Sequence, residues 1–387
     1  MNSAKAVEEE GWGKISAVVI RSPGKYPEAV KYFKDKGSAV YGSYEEMLDA
    51  EKGQTDIVAL PTAIYQHKDM TIKALENGFN VILEKPPTAT IQDLDEMIEA
   101  EKRSGKFCVV GFQSQSKNTV RKLKEYICEG KLGEIKETLA NGKWKRLDSY
   151  YERNAWAGKF IYDGQYVLDG TINNPLAHYL MNCLYFASSE RQRIAKPIRI
   201  RAELYKAHKI EGEDTSCLTA DVEGGAQVFF FGTLCSQTST NPVHQVVGTK
   251  GVADWALGDN VYIKYGNGKN EVIKDDGADE RAEVFRNAAR YVQGLDREIN
   301  CPLEMTRPFV LAVNGAYESA KCTKQIPEQF LIRKEEDGSL TATIKDIDEI
   351  IDRAFETRKL YSDLGVEWAH KTEPFAIKNY RQFKLSI

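Results

Sequence analysis

Histidine and cysteine are scarce in this 387-residue chain, with five and seven copies. The histidines do not pair at ligand spacing, and the cysteines (Cys108, Cys128, Cys183, Cys217, Cys235, Cys301 and Cys322) are odd in number, scattered and without a CxxC pair. That pattern argues against a zinc framework or a disulfide scaffold, and predicts reduced thiols and no metal. No apolar run approaches the roughly 18 to 20 residues that cross a bilayer. The opening, MNSAKAVEEEGWGK, lacks the cationic and apolar regions of a signal peptide, so a cytoplasmic protein with no membrane partner is expected. Charge of one sign is not in excess either: a net charge of −4 offers no basic surface for nucleic acid. There is no internal repeat and no low-complexity tract.

Hydrophobic residues make up 42% and charged residues 28%, an ordinary globular balance, and the length exceeds what one core usually serves. Two domains are therefore expected, at 1–118 and 119–387. In the first, KISAVVI (14–20), DIVAL (56–60), FNVIL (79–83) and FCVVGF (107–112) are short apolar runs separated by helical stretches. Ser43 stands three residues before Glu46 at a helix start, while Gly78 and Gly105 follow two helices. Buried strands alternating with amphipathic helices predict an α/β domain, a doubly wound parallel sheet. In the second, a helix at 117–129 and another near 174–186 precede strands that follow one another without helices between them. That order predicts an α+β domain with a large, mostly antiparallel, open-faced sheet. The helices ERAEVFRNAARYVQGL and RPFVLAVNGAYESAK are expected to close this domain, and the segment from about 325 to wrap both.

Ligands of open α/β sheets bind beyond the carboxyl ends of the strands. Pro61, Thr62 and His67 follow one strand, Glu84, Lys85 and Pro86 the next, and Gln113 the last. Prolines restrict the backbone around Lys85, which holds its ammonium toward the crevice; the alternative is a solvated lysine in a proline-rich loop. In the second domain Asn174 and His178, four apart, are expected on one face of a helix with Pro175 in its first turn. An amide and an imidazole so placed can hold and protonate a hydroxyl or carbonyl, or can simply be buried packing. Between them, YYERNAWAGKF (150–160) gathers Tyr150, Tyr151, Arg153, Asn154 and Trp156. Aromatic faces beside amide and guanidinium donors suit a polyhydroxylated ligand, and equally a pinned structural loop.

The Glu-Lys-Pro after a strand, the preceding loop with His67, the Gly-Phe-Gln at 111–113, the helix with its histidine, GEDT (212–215) and VVGTKG (246–251) together resemble the Gfo/Idh/MocA family over about residues 4–325. The resemblance implies a Rossmann domain, a second domain that carries the substrate site and oligomer contacts, and hydride transfer between NAD or NADP and a sugar, cyclitol or glycoside carbon. It implies Lys85 as the catalytic lysine and His178 as the acid/base histidine. Where the family usually has Asp, this chain has Asn174, which orients a hydroxyl but takes no proton. Asp169 is a carboxylate nearby, off the motif position. The substrate set is thus Tyr151, Arg153, Asn154, Trp156, Asp169, Asn174 and His178; the cofactor set is Arg21, Ser22, Pro61, Thr62, His67, Glu84, Lys85 and Gln113. Arg21 at the end of VVIRSP, where NAD binders place an acid, favours NADP; the alternative is a solvated arginine. A homo-oligomer, dimer or tetramer, is expected.

One part of the pattern is missing. GWGKIS (11–16) precedes a strand instead of opening a helix, so it is not the GxGxxG turn that meets a pyrophosphate. AKAVEEEGW reads as the second half of the first Rossmann helix and KISAVVI as the second strand, which leaves KISAVVI and DIVAL without their central partner. The expectation is a start at an internal methionine, about two dozen residues into a longer frame; the alternative is a lineage that lost dinucleotide binding. Redox-assisted glycoside cleavage and non-catalytic nucleotide or sugar sensing are the alternative functions.

Overall fold

The computed structural model describes residues 2–256 and 258–385. The chain divides into two compact units: the first comprises 1–87, 95–117 and 279–304, the second 88–94, 118–278 and 305–387. One crossing falls at Lys117/Asn118, beside the boundary read from sequence; the exchanges at 88–94 and 279–304 were not read.

In the first unit β1 (Ala17–Val19) pairs in parallel with β2 (Ala39–Tyr41), and β3 (Ile57–Leu60), β4 (Asn80–Leu83) and β5 (Cys108–Val110) form a second parallel sheet in that order. No strand joins β1 to β3 among the described residues, so the sheet is split where the sequence lacks a central partner. Helices α1 (Asn2–Glu9), α2 (Pro27–Asp35), α3 (Tyr44–Glu51), α4 (His67–Glu76) and α5 (Ile91–Ser104) alternate with the strands; α5 runs through the division between units. The Ser43 hydroxyl accepts the Glu46 N–H at 3.2 Å and the Glu46 carboxylate reaches back to the Gly42 N–H at 3.1 Å, a capping box displaced by one residue.

The second unit is built on a ten-stranded sheet. Its members are β6 (Ile135–Lys143), β9 (Pro197–Lys206), β10 (Thr215–Val222), β11 (Gln227–Thr233), β12 (Val243–Gly248), β13 (Gly251–Ala256), β14 (Val261–Tyr265), β15 (Asn270–Ile273) and β16 (Lys324–Gln325), with Phe375–Ala376 added on β9; a separate hairpin joins β7 (Ile161–Tyr162) to β8 (Gln165–Tyr166). The order is β15-β14-β13-β12-β6-β11-β10-β9-β16, antiparallel except at β6/β11 and β9/β16. Helices α6 (Asn118–Cys128), α7 (Asp148–Glu152), α8 (Ala177–Phe186) and α10 (Arg307–Ala320) belong here, whereas α9 (Glu280–Val292) belongs to the first unit.

That assignment corrects the expectation that α9 closes the second domain. Val284 and Ala288, one turn apart, bury against Ile82 and Val109 of the β3-β4-β5 sheet, and Arg286 pairs with Glu10 at 2.7 Å just past α1. The segment from 325 belongs to the second unit alone and, besides irregular chain, carries an amphipathic helix, α11 (Ile347–Thr357). Its Ile347 and Ile351 join Leu139, Phe229, Phe231 and Tyr361 in the core on one sheet face. On the opposite face Gly142 and Gly232 leave room for Leu176, since a Cβ at either would stand within 3 Å of that side chain. Tyr262 and Val272, paired across β14 and β15, are exposed.

Candidate functional sites in the two units

The carboxyl ends of β3, β4 and β5 lie side by side, because the three strands pair in parallel and in register. They present Pro61 and Glu84 exposed, and Thr62, Lys85 and Gln113 partly exposed. The Lys85–Pro86 peptide is cis, and the Glu84 carboxylate accepts the Lys85 N–H at 3.1 Å. Gly111 allows this convergence: its N–H reaches the Leu83 carbonyl at 2.7 Å, and a Cβ there would stand 3.2 Å from the same oxygen.

His67 plays a different part from the direct contact the sequence suggested. It is wholly buried, with Nδ1 2.9 Å from the Pro86 carbonyl and Nε2 3.0 Å from the Thr62 carbonyl. The ring thereby ties the loop after β3 to the loop after β4. Burial holds its pKa below the ordinary imidazole value, the Thr62 and Pro86 carbonyls oppose that shift, and the Lys85 charge adds to it. Thr62 Oγ1 is buried without a hydrogen-bond partner, a polar atom consistent with a ligand beside these loops. Arg21 and Ser22, beyond β1, are exposed. Thr62, Lys85 and Gln113 thus set polar groups at the strand ends where an α/β sheet takes its ligand, while no glycine turn for a pyrophosphate occurs among the described residues.

In the second unit Asp169 is the hub. Only 3% exposed, it accepts the Gly158 N–H at 2.7 Å, the Asn174 amide at 2.7 Å and an Arg153 N–H at 3.3 Å. One carboxylate therefore fixes both the aromatic loop and the amide, and it orients Asn174 because a carboxylate accepts an N–H and presents none. The Arg153 guanidinium lies 3.9 Å from the Tyr150 ring centroid and 5.4 Å from that of Trp156, and Asn154 accepts the Trp156 N–H at 3.1 Å. Tyr151 packs instead on the His208 ring at 4.8 Å, with its hydroxyl buried and unpartnered.

The helix start differs from expectation. Residues 171–176 are turns, α8 begins at Ala177, and Asn174 precedes it. Long-range partners hold this stretch out of helical geometry: the Ile172 N–H reaches Glu213 at 3.3 Å, Thr171 meets the Ser216 hydroxyl at 2.6 Å, and Asn173 donates to the Val167 carbonyl at 3.2 Å. From 171 to 180 only Asn174, Pro175 and His178 keep partial exposure. The far end of α8 is held by Lys124, 1% exposed, whose ammonium donates to the Tyr185 and Ser188 carbonyls at 2.5 Å. Burial lowers the Lys124 pKa from 10.5 to about 7, and in its protonated form the charge meets the negative end of the helix.

Glu213 is the residue that spacing did not single out. Wholly buried, it accepts the Tyr317 hydroxyl at 2.5 Å, and Gly170 leaves its space, since a Cβ there would fall 2.0 Å from the carboxylate. Its signal in the sequence is the pair of acid-and-glycine neighbours, Asp169-Gly170 and Gly212-Glu213, which make room for each other. Asp214 accepts the Ala207 and His208 N–H groups at 2.8 to 3.0 Å and His208 Nδ1 at 2.9 Å, and so anchors that loop. His208, Asp214 and Cys235 bring ligand atoms within 4.8 Å of one another, but those donors already fill the Asp214 oxygens, which argues against a cation there.

Burial pushes the Glu213 carboxyl up from about 4.5 to about 7. The folded state therefore binds this proton more tightly than the unfolded state. The stability it contributes is fully present below about pH 4.5 and is lost as pH rises through about 7, a change of about 3 kcal/mol. Urea titrations between pH 5 and 8 are expected to show this decline in the wild type and a shallower one in Glu213→Gln. Glu101, also raised to about 7, contributes equally to both proteins, and parallel curves would contradict the assignment.

Residues 2–112 match the family model described as the oxidoreductase family, NAD-binding Rossmann fold. Trans-1,2-dihydrobenzene-1,2-diol dehydrogenase of Bos taurus is 28% identical over 240 residues, 62% of this chain and 65% of the relative. D-glucoside 3-dehydrogenase of Escherichia coli K12 is 32% identical over 103 residues, 27% of this chain and 29% of the relative. An uncharacterized oxidoreductase of Streptococcus pneumoniae is 31% identical over 121 residues, 29% of this chain and 32% of the relative. Each match spans less than two thirds of the curated relative. The crystal structure of the WlbA dehydrogenase from Bordetella pertussis, in complex with NADH and UDP-GlcNAcA, superimposes with a TM-score of 0.67 at 21% identity, over 83% of this chain and 92% of that one. At that identity the likeness is one of fold.

Proposed function

We propose that this chain, whose residues 2–112 match the NAD-binding oxidoreductase family, moves a hydride between NAD(P) and a hydroxyl or carbonyl carbon of a sugar, cyclitol or glycoside. The observation that carries the reading is the Lys85 loop, set at the carboxyl end of β4 and tied by His67 to the loop after β3. A nicotinamide held beyond these strands supplies the redox chemistry. The chain's own groups do the rest. Lys85 donates a hydrogen bond to the reacting oxygen, and His178 exchanges the proton, since imidazole titrates nearest neutrality. Asn174, oriented by Asp169, holds a neighbouring hydroxyl, and Trp156 with Arg153 offers a stacked surface to the sugar's apolar face.

Pro61, Thr62, Glu84 and Gln113 are assigned to the nicotinamide end, and Arg21 with Ser22 to the adenosine end, where an arginine favours the 2′-phosphate of NADP. Association through the exposed Tyr262 and Val272 face would give the homo-oligomer. The test is absorbance at the reduced-nicotinamide band with a panel of sugars and each cofactor. Cofactor reduction with NADP bound more tightly than NAD supports the full reading. Tighter NAD removes the role of Arg21, and glycoside cleavage without net cofactor turnover would replace hydride transfer with redox-assisted cleavage.

A further inference from the structure

Beyond β6 the chain stays extended, and alternation places Trp144 and Arg146 on one side. The Trp144 N–H donates to the Thr233 carbonyl at 3.0 Å, the Arg146 N–H to the Leu234 carbonyl at 2.8 Å, and isolated bridges hold Lys145 and Leu147. On this fixed backbone the Arg146 guanidinium lies 5.0 Å from the Trp144 ring centroid and 5.2 Å from that of Tyr150. Arg153 follows on Tyr150, and Trp156 on Arg153. Rings and guanidinium groups thus alternate through Trp144, Arg146, Tyr150, Arg153 and Trp156. The ladder is attached at both ends to the segment that bears Asn174 and His178. Trp144 meets the edge of Tyr179 at 6.0 Å, and Arg153 shares Asp169 with Asn174.

The charges along this stretch are not treated alike. Lys143 pairs with Asp352, Lys145 with Glu336 and Arg153 with Asp169. Arg146 has no carboxylate within ion-pair distance among the described residues. It donates to the Lys145 carbonyl at 2.9 Å and lies against the Tyr150 ring. A guanidinium has five N–H donors in a planar fork that matches carboxylate or phosphate, and flanking rings cover its faces while leaving the edge available. A guanidinium held between rings without a counter-charge keeps an edge where an anion from outside can displace water.

We propose that Arg146 is a specificity residue and that the sugar-like substrate carries an oxyanion, a carboxylate or a phosphate. The inference rests on the oxidoreductase reading only for the identity of the ligand as a substrate. Binding of D-glucose, D-glucuronate and D-glucose 6-phosphate, and of the corresponding galactose series, is measured by calorimetry on the full chain, with wild type, Arg146→Gln and Arg146→Lys.

The expected result is that one anionic form binds roughly 10- to 100-fold more tightly than its neutral sugar. Arg146→Gln removes that advantage, and Arg146→Lys keeps part of it. Preference for uronate or for phosphate identifies the anion. Equal binding of neutral and anionic sugars, an anion preference that survives Arg146→Gln, or no binding of any sugar overturns the proposal. Unchanged thermal unfolding of Arg146→Lys separates these outcomes from misfolding. Anion preference without cofactor reduction would retire the redox reading and leave this inference standing. Reduction by a neutral sugar at a rate indifferent to Arg146 would do the reverse.

Discussion

Lys85→Ala is expected to lower turnover of the sugar substrate by about 100- to 10,000-fold, the range for loss of a group that assists proton movement at the reacting atom. Folding is expected to survive, because the side chain is partly exposed and belongs to no core cluster. The elements that position it do not depend on the ammonium. The Glu84 carboxylate bonds the backbone N–H of residue 85, His67 grips the Pro86 carbonyl, and Gly111 bonds Leu83. Cofactor affinity measured by fluorescence should therefore change far less than the rate constant. Wild-type turnover in this variant would remove Lys85 from the reaction and leave the loop as scaffold.

Asp169→Ala is expected to damage both stability and substrate affinity. The carboxylate is 3% exposed and has three donors, two of them at 2.7 Å. Its removal strands the buried Gly158 N–H at about 1 to 3 kcal/mol, while the partly exposed Asn174 amide can turn to water, so a loss of about 1 to 3 kcal/mol is expected. Arg153 adds little to that figure because its side chain is 28% exposed and water replaces the ion pair. Functionally the aromatic loop and Asn174 lose their common tether, so KM should rise more than kcat falls. Asp169→Asn keeps an acceptor and should sit between the two. A denaturation midpoint and a KM unchanged in Asp169→Ala would show that the loop and the amide are held by something else.

Much of the first unit was legible because its signals are local. Short β-branched runs bounded by Gly78 and Gly105 became β3, β4 and β5, and Ser43 became a cap. The separation of β1 from β3 among the described residues was legible too, since no GxGxxG turn stands before KISAVVI. What failed depends on partners distant in sequence. The periodicity of ERAEVFRNAARYV gives a helix but not the core it serves, and Val284 turned out to face β4 and β5. Pro175 suggested a helix start, yet Glu213 and Ser216, about forty residues away, hold 171–174 in turns. Asp169 was visible as a nearby carboxylate, but its place as the hub required knowing that Gly158 returns beside it.

The central claim is hydride transfer from a sugar carbon, and an isotope follows that atom directly. Incubation of the protein with oxidised NAD(P) and the tightest-binding sugar, deuterated at its ring carbons, followed by mass spectrometry of the nicotinamide, is expected to show one deuterium gained in wild type and none in Lys85→Ala. Wild-type protein that binds both sugar and cofactor, yet transfers no deuterium, would contradict the account.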